Sequence, residues 1–294
     1  MLFAEVHLQP VAALAALDSP FTLFEPAFAR RALLATLCVA LIGGMLGTSI
    51  VLRDLPFFTH AVGAGAYPVV VVGAGWGMSL AVAAQLGALA FAGCLWLLTL
   101  GGGSDPRIRD TRTGLLVAAA LAGGAVLTTI FAHHGTRIFL TPEALLFGSV
   151  LTVDDLTLTY AAAMVVVSAL LVYALGDRWL AAGFDRGAAP SLKVTGHDAA
   201  LLLVVALAVA ATLPLTGALM AGALLVVPAA TARMFSQRAG ALTLASLAIA
   251  VGEGLVGLYL ALAFDLPAGA TIAAVAGTGF VICALALWLR SIAA

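Results

Sequence analysis

Residues 213–234 read LPLTGALMAGALLVVPAATARM, an apolar run with no charge before Arg233 and with Pro228 deep inside it. In lipid every backbone N–H and C=O must find a partner within the protein. A proline there removes one donor and bends the helix, so neighbouring helices have to repair the damage. The segment therefore belongs to a packed multi-helix membrane protein and not to a lone anchor.

The remainder of the chain agrees. Of 294 residues, 63% are hydrophobic and 9% are charged, and the mean hydropathy is +1.16; a soluble domain carries about 25% charged residues. A formal net charge of −1 excludes nucleic acid as a partner, because no basic field collects phosphates. Cys38, Cys94 and Cys283 lie in apolar runs without metal-ligand or redox spacing and read as small core residues. The first 27 residues hold Glu5, Asp18 and Glu25 but no lysine or arginine, unlike a secretory signal. Leu8, Val11, Leu14 and Leu17 recur at three-residue spacing, which suits a short helix on the membrane surface or against the bundle.

A helix crosses the hydrocarbon with about 20 residues. On that scale the chain is all-α, a polytopic transmembrane bundle of nine spans: 31–52, 57–75, 79–100, 115–132, 157–176, 199–213, 216–235, 241–263 and 267–289. Gly63, Gly65 and Pro68 interrupt the second, and only the turn-like Pro214 to Gly217 separates the sixth from the seventh. With the 101–114 loop inside, all thirteen basic residues but Arg30, Arg31 and Arg137 fall on the cytoplasmic side. This puts the N-terminus out and the C-terminus in. Residues 1–30 then form an extracytoplasmic or interfacial segment, and residues 31–290 the membrane domain.

Glycines cluster within spans: Gly43, Gly44 and Gly47; Gly123 and Gly124; Gly252, Gly254 and Gly257; Gly277 and Gly279. Small residues let membrane helices approach closely, and tight packing is the reading adopted for all of them. Gly252 to Gly257 fits the dinucleotide pattern GxGxxG, but it lies in a membrane helix with no strand before it and is a false match. No GxxxxGK[ST] sequence occurs, so the chain does not hydrolyse ATP by that route. On the outer side, Thr141-Pro-Glu resembles a helix start, and Leu145 to Leu151 suits a half-inserted segment. The longest cytoplasmic loop, 177–198, mixes charges with small residues and is a natural grip for a soluble partner.

Six collinear segments together resemble one family, the membrane subunits of ABC-type importers for zinc, manganese or iron. Leu224-Leu-Val-Val-Pro-Ala-Ala-Thr-Ala-Arg233 is similar to that family's LLIIPAATAR stretch, Leu145 to Leu151 to LLFGSIL, and Asp265 to Ile272 to DLPTGATI. Arg109-Asp110-Thr-Arg-Thr-Gly114 resembles RxDTAIG, and Phe184-Asp185 with the alanines up to Gly196 resembles its FDxxxAxxxG loop. Gly47 to Arg53 closes the first span in the same manner. The resemblance implies a permease that dimerises in the plasma membrane among lipid. Separate ATPase subunits would burn ATP beneath it, and an extracytoplasmic solute-binding protein would deliver cargo. No cofactor is expected on the chain itself. Asp185, Arg186, Arg109 and Asp110 are the candidates for coupling to the ATPase.

One departure stands out. Where the family carries an aspartate and a histidine four apart as its metal-binding pair, this chain has His60 and Ala64. One imidazole can ligate zinc or manganese, but it brings no compensating negative charge. An ionisable group inside a membrane is read first as functional. His60 is therefore the candidate metal ligand in the substrate path, with Thr59 beside it; the alternative is a histidine bonded to a backbone carbonyl. Glu253, halfway along the eighth span, and Gln85 in the third are further path candidates, each with interhelical hydrogen bonding as the alternative. His133 and His134 are adjacent and cannot chelate from one helical face; with Asp154 and Asp155 they read as solvated loop residues. Two other functions stay open: the same importer type carrying a chelate or another non-metal solute, and a self-sufficient secondary transporter. Against the second stand the lack of a visible repeat and the scarcity of coupling carboxylates.

Overall fold

The computed structural model describes residues 22–100, 106–133, 153–184, 195–236 and 238–293. Among these residues, a short 3-10 turn at Thr22–Phe24 is followed by ten helices. They are α1 (Ala27–Leu52), α2 (Pro56–Gly65), α3 (Tyr67–Gly75), α4 (Leu80–Leu100) and α5 (Pro106–His133), then α6 (Asp155–Phe184), α7 (Thr195–Thr216), α8 (Ala218–Arg233), α9 (Ala239–Phe264) and α10 (Ala268–Ala293). Among the described residues no strand occurs. Eight helical stretches of the described residues, with α2 and α3 taken as one, are long and apolar enough to cross a membrane. The ninth expected span is α8, whose 16 residues extend only about 24 Å at 1.5 Å per residue.

The second span divides at Ala66, and the seventh begins only after Gly217, whose φ of 77° and ψ of 163° admit glycine almost alone. The loop expected at 177–198 is shorter than its sequence suggests: α6 continues to Phe184 and α7 starts at Thr195. The expected coupling residues Asp185 and Arg186, the outer segment 134–152 and the first 21 residues lie outside the described residues.

Two helices end alike. Asp54 and Asp265 adopt left-handed φ of 54° and 52°. The following amides, Leu55 N and Leu266 N, each donate to a carbonyl five residues back, Ile50 O and Ala261 O, at 2.9 Å. Such caps satisfy carbonyls left over at a helix end, and the prolines that follow, Pro56 and Pro267, stand at the start of the next helix, where a missing N–H costs nothing.

The bundle is built around α1. In its apolar window 67% of residues are buried, as in α7, against 6% for α5 and 11% for α10. Its glycines face two ways: a Cβ on Gly43 would overlap the Leu224 carbonyl oxygen of α8 and one on Gly47 would lie 2.5 Å from Leu225 O of the same helix, whereas one on Gly44 would lie 2.6 Å from the Leu247 Cα of α9. Pro228 explains the first contact. Lacking an N–H, it leaves Leu224 O without its helical donor, and the Cα of Gly43 comes up against that oxygen. α6 flanks α1 along its length. Arg31 pairs with Asp155 at 3.1 Å near one end, and at the other a Cβ on Gly183 would lie 2.9 Å from Leu52 Cβ. Asp154 and Asp155 are thus helix-start residues: Thr157 N donates to Asp154 Oδ1 at 3.1 Å.

Candidate functional site

α2 begins after the Asp54 corner and packs on α8, α5, α7 and α4. Enclosure on these sides makes its polar residues informative. Thr59 is fully buried, and its hydroxyl donates to Leu55 O at 3.0 Å, which uses its only proton within its own helix. His60 is half-buried and turned towards α8. A Cβ on Gly222 would come within 3.3 Å of His60 Nδ1, so the absence of a side chain at 222 makes room for the imidazole. Ala64, one turn on, is buried and offers no side-chain ligand.

The other expected path residues sit elsewhere. Gln85 is half-buried on α4, beside Ala84, which belongs to the cluster around Tyr67 and Leu213. Glu253 lies on the seam between α9 and α10: a Cβ on Gly279 would be 3.4 Å from its Oε1, and its Oε2 is buried without a hydrogen-bond partner. Glu253 therefore does not share an element or a described contact with His60. Among the described residues no group of three or more His, Cys, Asp and Glu side chains could hold a metal ion. His60 stands as a single imidazole at a close contact between two helices.

Beneath α2, at the Asp54 corner, a cavity of about 230 Å³ opens between Arg53, Asp54, Phe57 and Phe58 on one side and Trp96, Asp110, Thr113 and Leu201 on the other. Asp110, one of the expected coupling residues, thus meets the corner that leads into α2. Arg109 precedes it in α5. Sequence reasoning missed Gly222, Tyr67 and Thr128. Tyr67 adjoins Pro68, and that proline in an apolar run was the available signal; nothing in the sequence paired Gly222 with His60.

The arrangement defines a membrane-embedded transport subunit: a hub helix, two interrupted helices beside it, and one ionisable group between them. The pattern of the ABC 3 transport family matches residues 25–287, and the chain belongs to that family of multi-pass membrane permeases. It is 28% identical over 262 residues to the manganese transport system membrane protein MntC of Listeria monocytogenes, covering 86% of this chain and 89% of that protein. It is 25% identical over 249 residues to the manganese import system permease ScaB of Streptococcus gordonii, covering 83% and 86%. The solved PsaBC complex of Streptococcus pneumoniae with Fab shares the fold, with a TM-score of 0.75 at 23% identity over 89% of this chain and 92% of that one. An inward-facing putative metal-chelate type ABC transporter aligns with a TM-score of 0.67 at 15% identity, over 87% and 85%.

Proposed function

We propose that this chain forms the translocation path of an importer for a divalent transition metal, manganese first and zinc second, with His60 as the ligand the cargo meets. The observation that carries this reading is the likeness to manganese permeases over most of the chain, combined with the placement of His60 in the enclosed α2. Partner ATPase subunits consume the ATP and an extracytoplasmic binding protein delivers the metal; the chain itself binds no cofactor. The N-terminus lies outside and the C-terminus inside, as the arginine distribution requires. The ATPase grips residues 177–198 through Asp185 and Arg186, and engages Arg109 and Asp110 as well. In support, Gly183 rests on Leu52, so a push on the residues after α6 reaches the Asp54 corner and α2. A second copy covers the bare faces of α5 and α10, and lipid covers the rest.

The test is uptake of radioactive manganese by cells expressing the complete importer. His60→Ala is expected to lower it at least about tenfold, since loss of even a supporting group at a metal site costs that much. Unchanged uptake removes His60 from the path. Replacing Asp185 and Arg186 is expected to weaken co-purification of the ATPase without altering membrane insertion, and normal co-purification refutes the coupling assignment. A second reading, a chelated metal as cargo, is favoured by the single imidazole and by the fold shared with the metal-chelate type transporter. Uptake of a preformed manganese chelate, with none of the free ion, would replace the first reading by the second.

A further inference from the structure

The break in the second span is held by contacts that the proposed path does not use. Tyr67, the first residue of α3, is 1% exposed, and its ring lies where a Cβ on Gly124 of α5 would be. Its hydroxyl is 3.0 Å from Thr128 Oγ1. Thr128 spends its own hydrogen on Gly124 O at 2.9 Å, and a hydroxyl has only one to give. Tyr67 is therefore the donor and Thr128 the acceptor across the seam.

α5 grips α3 again at Gly75, where a Cβ would lie 2.6 Å from the Phe131 ring. α4 closes a further side: a Cβ on Gly87 would be 2.7 Å from Ala66 O, and one on Gly73 2.7 Å from Ala83 Cβ. The His60 face of α2, by contrast, meets Gly222 of α8. α4 and α5 thus pack on both halves of the span, while α2 alone adds a broad contact with α8, and Ala66 joins the two.

We propose that Tyr67 is a positioning residue for His60. By tying α3 to α5 through Thr128 it anchors the half of the span beyond Ala66, and hence the rotation and depth at which α2 presents His60 to α8. α5 is the least buried of the spanning helices, so the bond also passes any shift of α5 to the junction at Ala66. The proposal deepens the reading of His60 as a path residue and rests on it.

Its test does not depend on the cargo. His60 Cβ is 3.6 Å from the position of a Cβ on Gly222, inside the range of about 3.5–4.5 Å that a disulfide needs. In a chain with its native cysteines replaced by serine, His60→Cys with Gly222→Cys is expected to cross-link readily under oxidation. Tyr67→Phe keeps the ring on Gly124 and loses the donor; Thr128→Val keeps the shape and loses the acceptor. Each is expected to slow the cross-link by about threefold, the scale of one interhelical hydrogen bond. The double variant should be no slower than the slower single, since both remove the same bond.

A control pair, Ala40→Cys with Gly254→Cys, where the Cβ separation is 3.7 Å, should be unaffected. Equal cross-linking rates with and without the Tyr67 hydroxyl overturn the proposal, and so does equal slowing of both pairs, which marks a general loosening. In the complete importer reconstituted in proteoliposomes, with manganese as the probe, Tyr67→Phe is expected to lower manganese moved per ATP by about threefold. An unchanged ratio also counts against it. Should the unaltered importer move no manganese while the cross-link still slows, the assigned cargo fails and the positioning role stands.

Discussion

Gly43, Gly44 and Gly47 of α1 and Gly123 and Gly277 of α5 and α10 all belong to glycine clusters in apolar runs, yet they do opposite things. On α1 the space a Cβ would fill is taken by the backbone of Leu224, Leu225 and Leu247. On α5 and α10 nothing lies within 4 Å of it. The division runs even through neighbours: Gly123 is open while Gly124 lies under the Tyr67 ring, and Gly252 is open while Gly257 lies against Ile272. Successive residues of a helix point about 100° apart, so only one of an adjacent pair can face a given neighbour. Tight packing holds for the hub and for part of each outer cluster. The open remainder awaits lipid or a second copy.

Alanine substitutions break this comparison in order of size. Gly43→Ala drives a methyl into the Leu224 carbonyl and separates α1 from α8; overpacking of this kind costs about 1–3 kcal/mol, and backbone on the far side cannot step aside as a side chain could. The largest fall in thermal midpoint of the detergent-solubilised protein is expected here. Gly124→Ala comes next, because the Tyr67 ring must shift and its bond to Thr128 lengthens; about half the loss of Gly43→Ala is expected, within the usual range of overpacking. Gly123→Ala and Gly277→Ala meet nothing within the chain and exchange a poor helix former for the best one, a difference of about 0.8–1 kcal/mol in a water-exposed helix. They should leave the midpoint of the monomer unchanged or slightly raised. A fall confined to conditions in which two copies associate would show that α5 or α10 is the contact between them. A fall of the monomer's midpoint as large as that of Gly43→Ala would sink the comparison itself.

Glu253→Gln sharpens a related contrast. If the carboxylate serves only the seam with Gly279, manganese uptake should be unchanged. A loss matching that of His60→Ala would return Glu253 to the path.

Much of the fold was legible beforehand, since the nine expected spans correspond to the helices observed and their charged ends to the corners. The break at Ala66 was legible as a weakness, because Gly63, Gly65 and Pro68 all disfavour a helix interior. What holds it was not, because Gly87 and Gly124, which pack on Ala66 and Tyr67, lie far away in the chain. Arg31 was placed on the outer side and Asp155 read as solvated, and both are exposed; their ion pair, worth at most about 1 kcal/mol at such a site, leaves no mark in the sequence. Of the candidate site, His60 and Glu253 follow from the rarity of ionisable groups in membranes and Gln85 from the scarcity of polar side chains there; neither Glu253 nor Gln85 shares a described contact with His60, which no local rule could foresee.

By itself the sequence determined that this chain is a many-helix membrane protein, where its helices run, and which residue stands in place of a metal-binding pair. Hydropathy, proline and charge act locally or through the membrane, and the lipid reads them without reference to neighbouring helices. Only the tertiary structure decided which glycine meets which backbone, that Gly222 makes room for His60, and that Tyr67 ties one half of a broken span to α5. These depend on helix rotation and depth, which in a uniformly apolar bundle are chosen by the fit of surfaces and by a few hydrogen bonds, and no single helix carries that information.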